Sequence, residues 1–171
     1  MSAFTDLLNS FRANAQSERE KGSSFEKLVK IYLQKEPLYE DLYDQVWLWE
    51  EWRQYWKEQG HPDPGTDTGI DLVAKTRVTE EYHAVQAKFF EKETKLYKHQ
   101  LDSFFTASGK KPFSHRLVVV TTDKLSVHLE AAFQDQHIPV SQITLSDLEN
   151  SKIDWSSYLL KPQEVKLQAK K

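Results

Sequence analysis

A chain of 171 residues, 39% apolar and 29% charged, is long enough to bury one proper core and is expected to fold as a single domain. With no cysteine it can build neither a disulfide framework nor a thiolate zinc site. No apolar run approaches the roughly 20 residues of a membrane span, and the start Met1-Ser2-Ala3-Phe4-Thr5-Asp6 lacks the basic and apolar regions of a secretory signal, so a cytoplasmic protein is expected. The net charge of −3 argues against general affinity for nucleic acid but leaves room for a local basic face.

Phe4, Leu7, Leu8 and Phe11 stand at helical spacing and predict a helix over 2–20, broken by Lys21-Gly22-Ser23-Ser24. A second helix carries Phe25, Leu28, Val29 and Tyr32 at i, i+3, i+4 and i+7 and ends at Pro37. A short strand over 43–49 and a helix over 50–59 follow. Trp47, Trp49, Trp52 and Trp56 fall here, and the helix-face spacing of the last three favours core packing over base stacking. The loop 60–65 is rich in glycine and proline. Strands over 70–78 and 82–90, joined by a turn at Thr79-Glu80-Glu81, read as a hairpin. A helix over 94–108, a buried strand over 116–121, a helix over 126–136, a strand over 138–145 and a short helix over 146–150 complete the domain. Residues 1–160 form the expected domain, and 161–171 read as a linker to a downstream domain. This order gives an α/β fold, a mixed sheet with helices on both faces.

The chemistry concentrates in the hairpin. Asp71 follows Gly69-Ile70, and Gln86 and Lys88 share one face of the next strand by the two-residue period. A carboxylate inside a strand is costly unless paired or bound to a metal. Asp71, Gln86 and the Ala87 backbone carbonyl supply the oxygens a hard divalent ion needs, and Lys88 stands ready to orient water or offset charge on a phosphate. A buried Asp–Lys ion pair is the competing reading. Glu26 is either a further metal ligand or, in Ser23-Ser24-Phe25-Glu26, the closing residue of a capping box. Asp67 favours an Asx turn over a metal contact. Lys92, Lys95, Lys98 and His99 are candidate DNA contacts, with a solvated helix face as the alternative; Lys110, Lys111 and Arg116 extend the same basic stretch.

Gly69-Ile70-Asp71 followed by Val85-Gln86-Ala87-Lys88 resembles the PD-(D/E)xK nucleases, in particular the Mrr-like branch, where Gln often replaces the acidic residue. Phe25-Glu26 and Leu117-Val118-Val119-Val120-Thr121-Thr122 match that branch's helix and strand. With the Trp-rich insert, the chain is similar to the N-terminal nuclease domain of type ISP restriction–modification enzymes over residues 22–145. The resemblance implies a restriction-endonuclease-like fold with Asp71, Gln86 and Lys88 catalytic, magnesium (or manganese) as cofactor and double-stranded DNA as substrate, cut without sequence preference of its own. It also implies a translocase, a methyltransferase and a target-recognition domain in the natural polypeptide, where ATP and S-adenosylmethionine would act. No Gly-x-x-x-x-Gly-Lys loop occurs in this chain. A monomer is expected, with transient pairing of two copies for double-strand breaks. The alternatives are a non-catalytic DNA-binding module that retains the fold, and a domain docking through its Trp-rich segment.

Overall fold

The computed structural model describes residues 2–66, 68–158 and 161–168. Helix α1 (Ala3–Asn14) is capped by Ser2, whose hydroxyl accepts from the Thr5 N–H. The chain then restarts a helix at Ser17, whose hydroxyl accepts from the Glu20 N–H at 3.1 Å, with Glu18 and Glu20 in the first turn of α2 (Glu18–Lys35). This corrects the expected break at 21–24, because α2 runs straight through Gly22. A glycine costs a helix only ~1 kcal/mol against alanine. Phe25, Leu28, Val29, Ile31, Tyr32 and Leu33 are all buried by the same helix, at ~1.5–3 kcal/mol for each large apolar side chain, so burial wins.

Pro37 ends α2 and opens α3 (Pro37–Leu42). There follow β1 (Tyr43–Leu48), α4 (Trp49–Glu58), β2 (Leu72–Thr76) and β3 (Tyr82–Lys88). Next come α5 (Asp102–Ser108), β4 (Phe113–Val120), α6 (Val127–Ala132), β5 (Val140–Ile143) and α7 (Leu145–Glu149). The helix expected over 94–108 shortens to a 3₁₀ turn, Lys98–Leu101, leading into α5. The cause is upstream, where the Leu96 N–H donates to the Lys124 carbonyl and the Leu96 carbonyl accepts from the Ser126 N–H, both at 2.9 Å. Those main-chain groups are therefore not free for a helix.

The sheet runs β1-β2-β3-β4-β5, antiparallel through the first three strands and parallel from β3 to β5. It is the mixed α/β sheet the sequence led us to expect. Strand alternation divides its core in two. Leu72, Ala74, Val85, Leu117 and Val119 face the cluster built on α1 and α2. Val73, Ala84, Val118 and Val120 face the cluster that holds Trp49, Trp52 and Phe104 of α4 and α5.

Residues 161–168 pack onto this body, although a linker was expected there. Strand β7 (Lys166–Leu167) pairs with β6 (Ile153–Asp154), and Val165 is buried in the α1–α2 cluster. Residues 169–171 of that stretch lie outside the described residues. No helix among the described residues is long and apolar enough to cross a membrane.

Candidate active site

Asp71 sits where the chain enters β2. Its N–H donates to the Val85 carbonyl and its own carbonyl accepts from the Trp49 N–H, both at 2.9 Å, so β3 and the start of α4 both reach the residue that opens β2. Gly69, two residues earlier, has φ of +85°, and a Cβ there would lie 3.0 Å from the main-chain carbon of Ser103. Only glycine lets this loop lie against α5 in that conformation.

Leu72 pairs with Val85 in the antiparallel ladder, which puts Asp71 opposite Gln86. The Gln86 Nε2 donates to Asp71 Oδ2, and the Ala87 N–H donates to the same oxygen at 2.8 Å. Asp71 Oδ1 and Gln86 Oε1 have no hydrogen-bond partner among the described residues. The Val85 carbonyl is turned toward β2, and strand alternation turns the Ala87 carbonyl the same way, past the last paired residue. Lys88, on the face of Gln86, holds its place through the strand end: its carbonyl accepts from the Thr121 N–H at 3.2 Å. The Thr121 hydroxyl then clamps the next turn, accepting from the Phe90 N–H and donating to the Phe90 carbonyl, each at 2.6 Å. Asp71, Gln86 and Lys88 thus come together as the sequence indicated.

Glu26 joins them from α2. Ser23 lies inside that helix, so the capping box does not form and its side chain is free for the site. Burial, and then the charge of Asp71, push the Glu26 carboxyl up to about 7. Burial likewise raises Asp71 to about 6, opposed by the Ala87 N–H, the Lys88 charge and the Gln86 amide. Two carboxylates kept close in a half-buried site oppose each other's ionisation unless a cation lies between them.

Two clefts meet at Asp71. One, of about 800 Å³, is lined by Asp71, Gln86 and Lys88 on the sheet side and by Gln100, Ser103, Thr106 and Lys110 across from them. The other, of about 530 Å³, holds Glu26, Arg19, Gly22 and Ser23 with Asp71. Residues 19, 22, 23 and 26 are one face of α2, a pattern hidden in the sequence by the expected break.

The donor set fits a hard divalent cation: Asp71 Oδ1, Gln86 Oε1, the Ala87 carbonyl and the Glu26 carboxylate are all oxygens, and two are acidic. Among the described residues no three His, Cys, Asp or Glu side chains converge. Any oxygen set here therefore needs the amide and the main-chain carbonyl.

Of the residues expected to meet DNA, Lys95, Lys98 and His99 are exposed, and Lys98 pairs with Asp102 at 3.2 Å. Lys92 is exposed too, its carbonyl accepting from Thr122. None of the four lines the clefts; Lys110 does. Arg116 is no surface cation: it is buried, bonded to Ser108 and to the carbonyls of Phe105 and Ile138, and stacked on Phe105. Trp49 and Trp52 are buried, as their spacing suggested, and so cannot serve as a docking surface. Asp67 lies outside the described residues.

A family model described as Mrr_cat_2, restriction endonuclease, matches residues 34–165. The chain belongs to the Mrr-like restriction endonuclease family. Among solved structures, this nuclease domain matches the ATP-dependent type ISP restriction-modification enzyme LlaBIII bound to DNA, at 30% identity and a TM-score of 0.73. That match covers 96% of this chain and 10% of the other, so the domain spans about a tenth of that enzyme. The modification-dependent endonuclease AspBHI (17% identity, 72% of this chain and 34% of that one) matches with a TM-score of only 0.43, too low to carry an argument. A search of curated proteins returned no match. The type ISP resemblance, expected from Asp71, Gln86, Lys88 and the flanking helix and strand, is therefore that of the whole fold.

Proposed function

We propose that this domain is a magnesium-dependent DNA endonuclease that hydrolyses phosphodiester bonds without sequence preference of its own, within a larger restriction–modification polypeptide. The observation that carries this reading is the meeting of Asp71, Gln86, Lys88 and Glu26 at one end of the sheet, with Asp71 Oδ1 and Gln86 Oε1 uncommitted.

Asp71, Gln86, the Ala87 carbonyl and Glu26 would hold the ion. Bound there, magnesium or manganese supplies positive charge to the scissile phosphate and acidity to nearby water. The chain's own residues do the rest. Gln86 and the Ala87 N–H fix Asp71 through Oδ2, leaving Oδ1 available to the ion. The Lys88 ammonium offsets charge that builds on the phosphate and orients the attacking water. Lys110, across the cleft, holds a neighbouring phosphate, and Lys92, Lys95, Lys98 and His99 offer an outer basic surface for the duplex. Translocation, methylation and target recognition would belong to other domains of such a polypeptide.

Plasmid nicking in magnesium or manganese tests the assignment directly. Cleavage is expected to require the metal and to fall at least ~10²-fold in both Asp71→Ala and Lys88→Ala, the usual loss for a group that stabilises developing charge. Cleavage unchanged in either variant would refute the role given to that residue. A folded protein that neither cuts DNA nor binds manganese would instead support a non-catalytic module.

A further inference from the structure

The second cleft at Asp71 holds a cation that the nuclease reading leaves idle. Arg19, in the first turns of α2, lines this cleft beside Gly22, Ser23 and Glu26. It is exposed, and it makes no hydrogen bond or ion pair among the described residues. Its acidic neighbours are engaged elsewhere: Glu18 pairs with Lys21 at 2.6 Å, and the Glu20 carboxylate accepts from the Gln16 N–H at 3.3 Å. Glu50, also at this cleft, pairs with Arg53 at 3.0 Å. Arg19 therefore keeps its donors for a ligand, and a planar guanidinium fork suits the oxygens of a phosphate.

Gly22 is a second and independent observation. It sits inside an 18-residue helix, where glycine is less favourable than alanine. Packing does not demand it, because a Cβ placed there meets nothing within 4 Å. The missing side chain leaves the α2 surface bare on the wall of the cleft, where a ligand can lie close to the helix backbone. The two clefts share Thr68, Gly69 and Asp71. A strand that follows both passes Asp71, with Lys110 in the first cleft and Arg19 in the second.

We propose that Arg19 holds a phosphate of the cleaved strand on the α2 side of the scissile one, opposite the phosphate held by Lys110, with the sugar–phosphate backbone lying against Gly22. The inference rests on the nuclease reading and adds what that reading lacks, a grip on both sides of the bond to be cut. Arg19 is a positioning residue. It fixes the scissile phosphate beside Asp71 and Lys88 through a neighbouring phosphate, a contact that carries no sequence information.

Fluorescence anisotropy of a labelled duplex in EDTA, where metal-dependent cleavage is off, tests this when repeated across a range of salt concentrations. Each phosphate contact contributes about 0.9 to the slope of log K against log[salt]. Arg19→Ala is expected to lose about that much slope, and Arg19→Lys to keep it. Lys166→Ala removes an exposed charge on β7 that lines neither cleft, and should leave the slope unchanged. Combining Arg19→Ala with Lys110→Ala should lose about twice as much as either alone. Gly22→Gln introduces an uncharged, better helix former; it should melt higher than the parent and yet bind DNA more weakly. A parent-like slope in Arg19→Ala, or an equal loss in Lys166→Ala, overturns the proposal alone. So does a Gly22→Gln protein that melts higher and binds as the parent does. A parent that neither binds the duplex nor nicks plasmid overturns it together with the nuclease reading.

Discussion

Glu26 shows how one side chain can be legible in type and illegible in role. In the sequence it completes a Ser-x-x-Glu pattern; in the fold it stands in the third turn of an unbroken helix, beside Asp71, with its carboxyl raised from 4.5 to about 7 by burial and by that neighbour. A carboxyl raised in the folded state makes the native protein bind more protons than the unfolded chain between those values. Its contribution therefore turns unfavourable as pH rises through that window. Glu26→Gln should accordingly melt higher than the parent at pH 8 in EDTA and close to it at pH 4, a comparison that scanning calorimetry makes directly. Magnesium at pH 8 should raise the parent's melting temperature more than the variant's. A variant that melts lower at pH 8 would mean that Glu26 stabilises the fold, and the ligand assignment would lose its support.

At the level of elements, the site depends on how strands and loops are held. The approach to β2 is set by Gly69, where a positive φ coincides with close contact to Ser103 in α5. Gly69→Ala should destabilise the domain by about 1–3 kcal/mol, the cost of a strained backbone conformation, in urea unfolding followed by circular dichroism. Because the same loop carries Asp71, nicking should fall more than the stability loss explains. Full activity in the variant would mean that the approach of this loop to α5 does not position Asp71. Helix boundaries were the poorest part of the sequence reading for a related reason. Gly22 and Ser23 are locally poor helix formers, but six buried side chains on α2 override them. Thr94 to Leu96 were expected to be helical, but the Leu96 main chain is engaged by the segment after β4.

On the scale of the whole molecule, the chain after residue 160 belongs to the body of the domain at least through residue 168. Val165 packs in the α1–α2 cluster and β7 pairs with β6. Val165→Asp should lower stability by about 2 kcal/mol, as expected for an unpaired charge forced into a core edge, read from the urea midpoint. No change would return residues 161–168 to the status of linker.

The sequence by itself determined the mixed α/β sheet and the grouping of Asp71, Gln86 and Lys88. Alternation in β2 and β3 is a local property: it fixes which side chains share a face, so Asp71, Gln86 and Lys88 could be placed together from spacing alone. Only the tertiary structure brought Glu26 and Arg19 to Asp71, placed Lys110 rather than Lys92 or Lys95 at the cleft, and buried Arg116. It also set a cavity lined by Trp49, Trp52 and Trp56 beside the cleft, the two sharing Thr68, Ala107 and Lys110. Each of these depends on packing between elements far apart in the chain, where the free energy of burying apolar faces decides what local preference cannot.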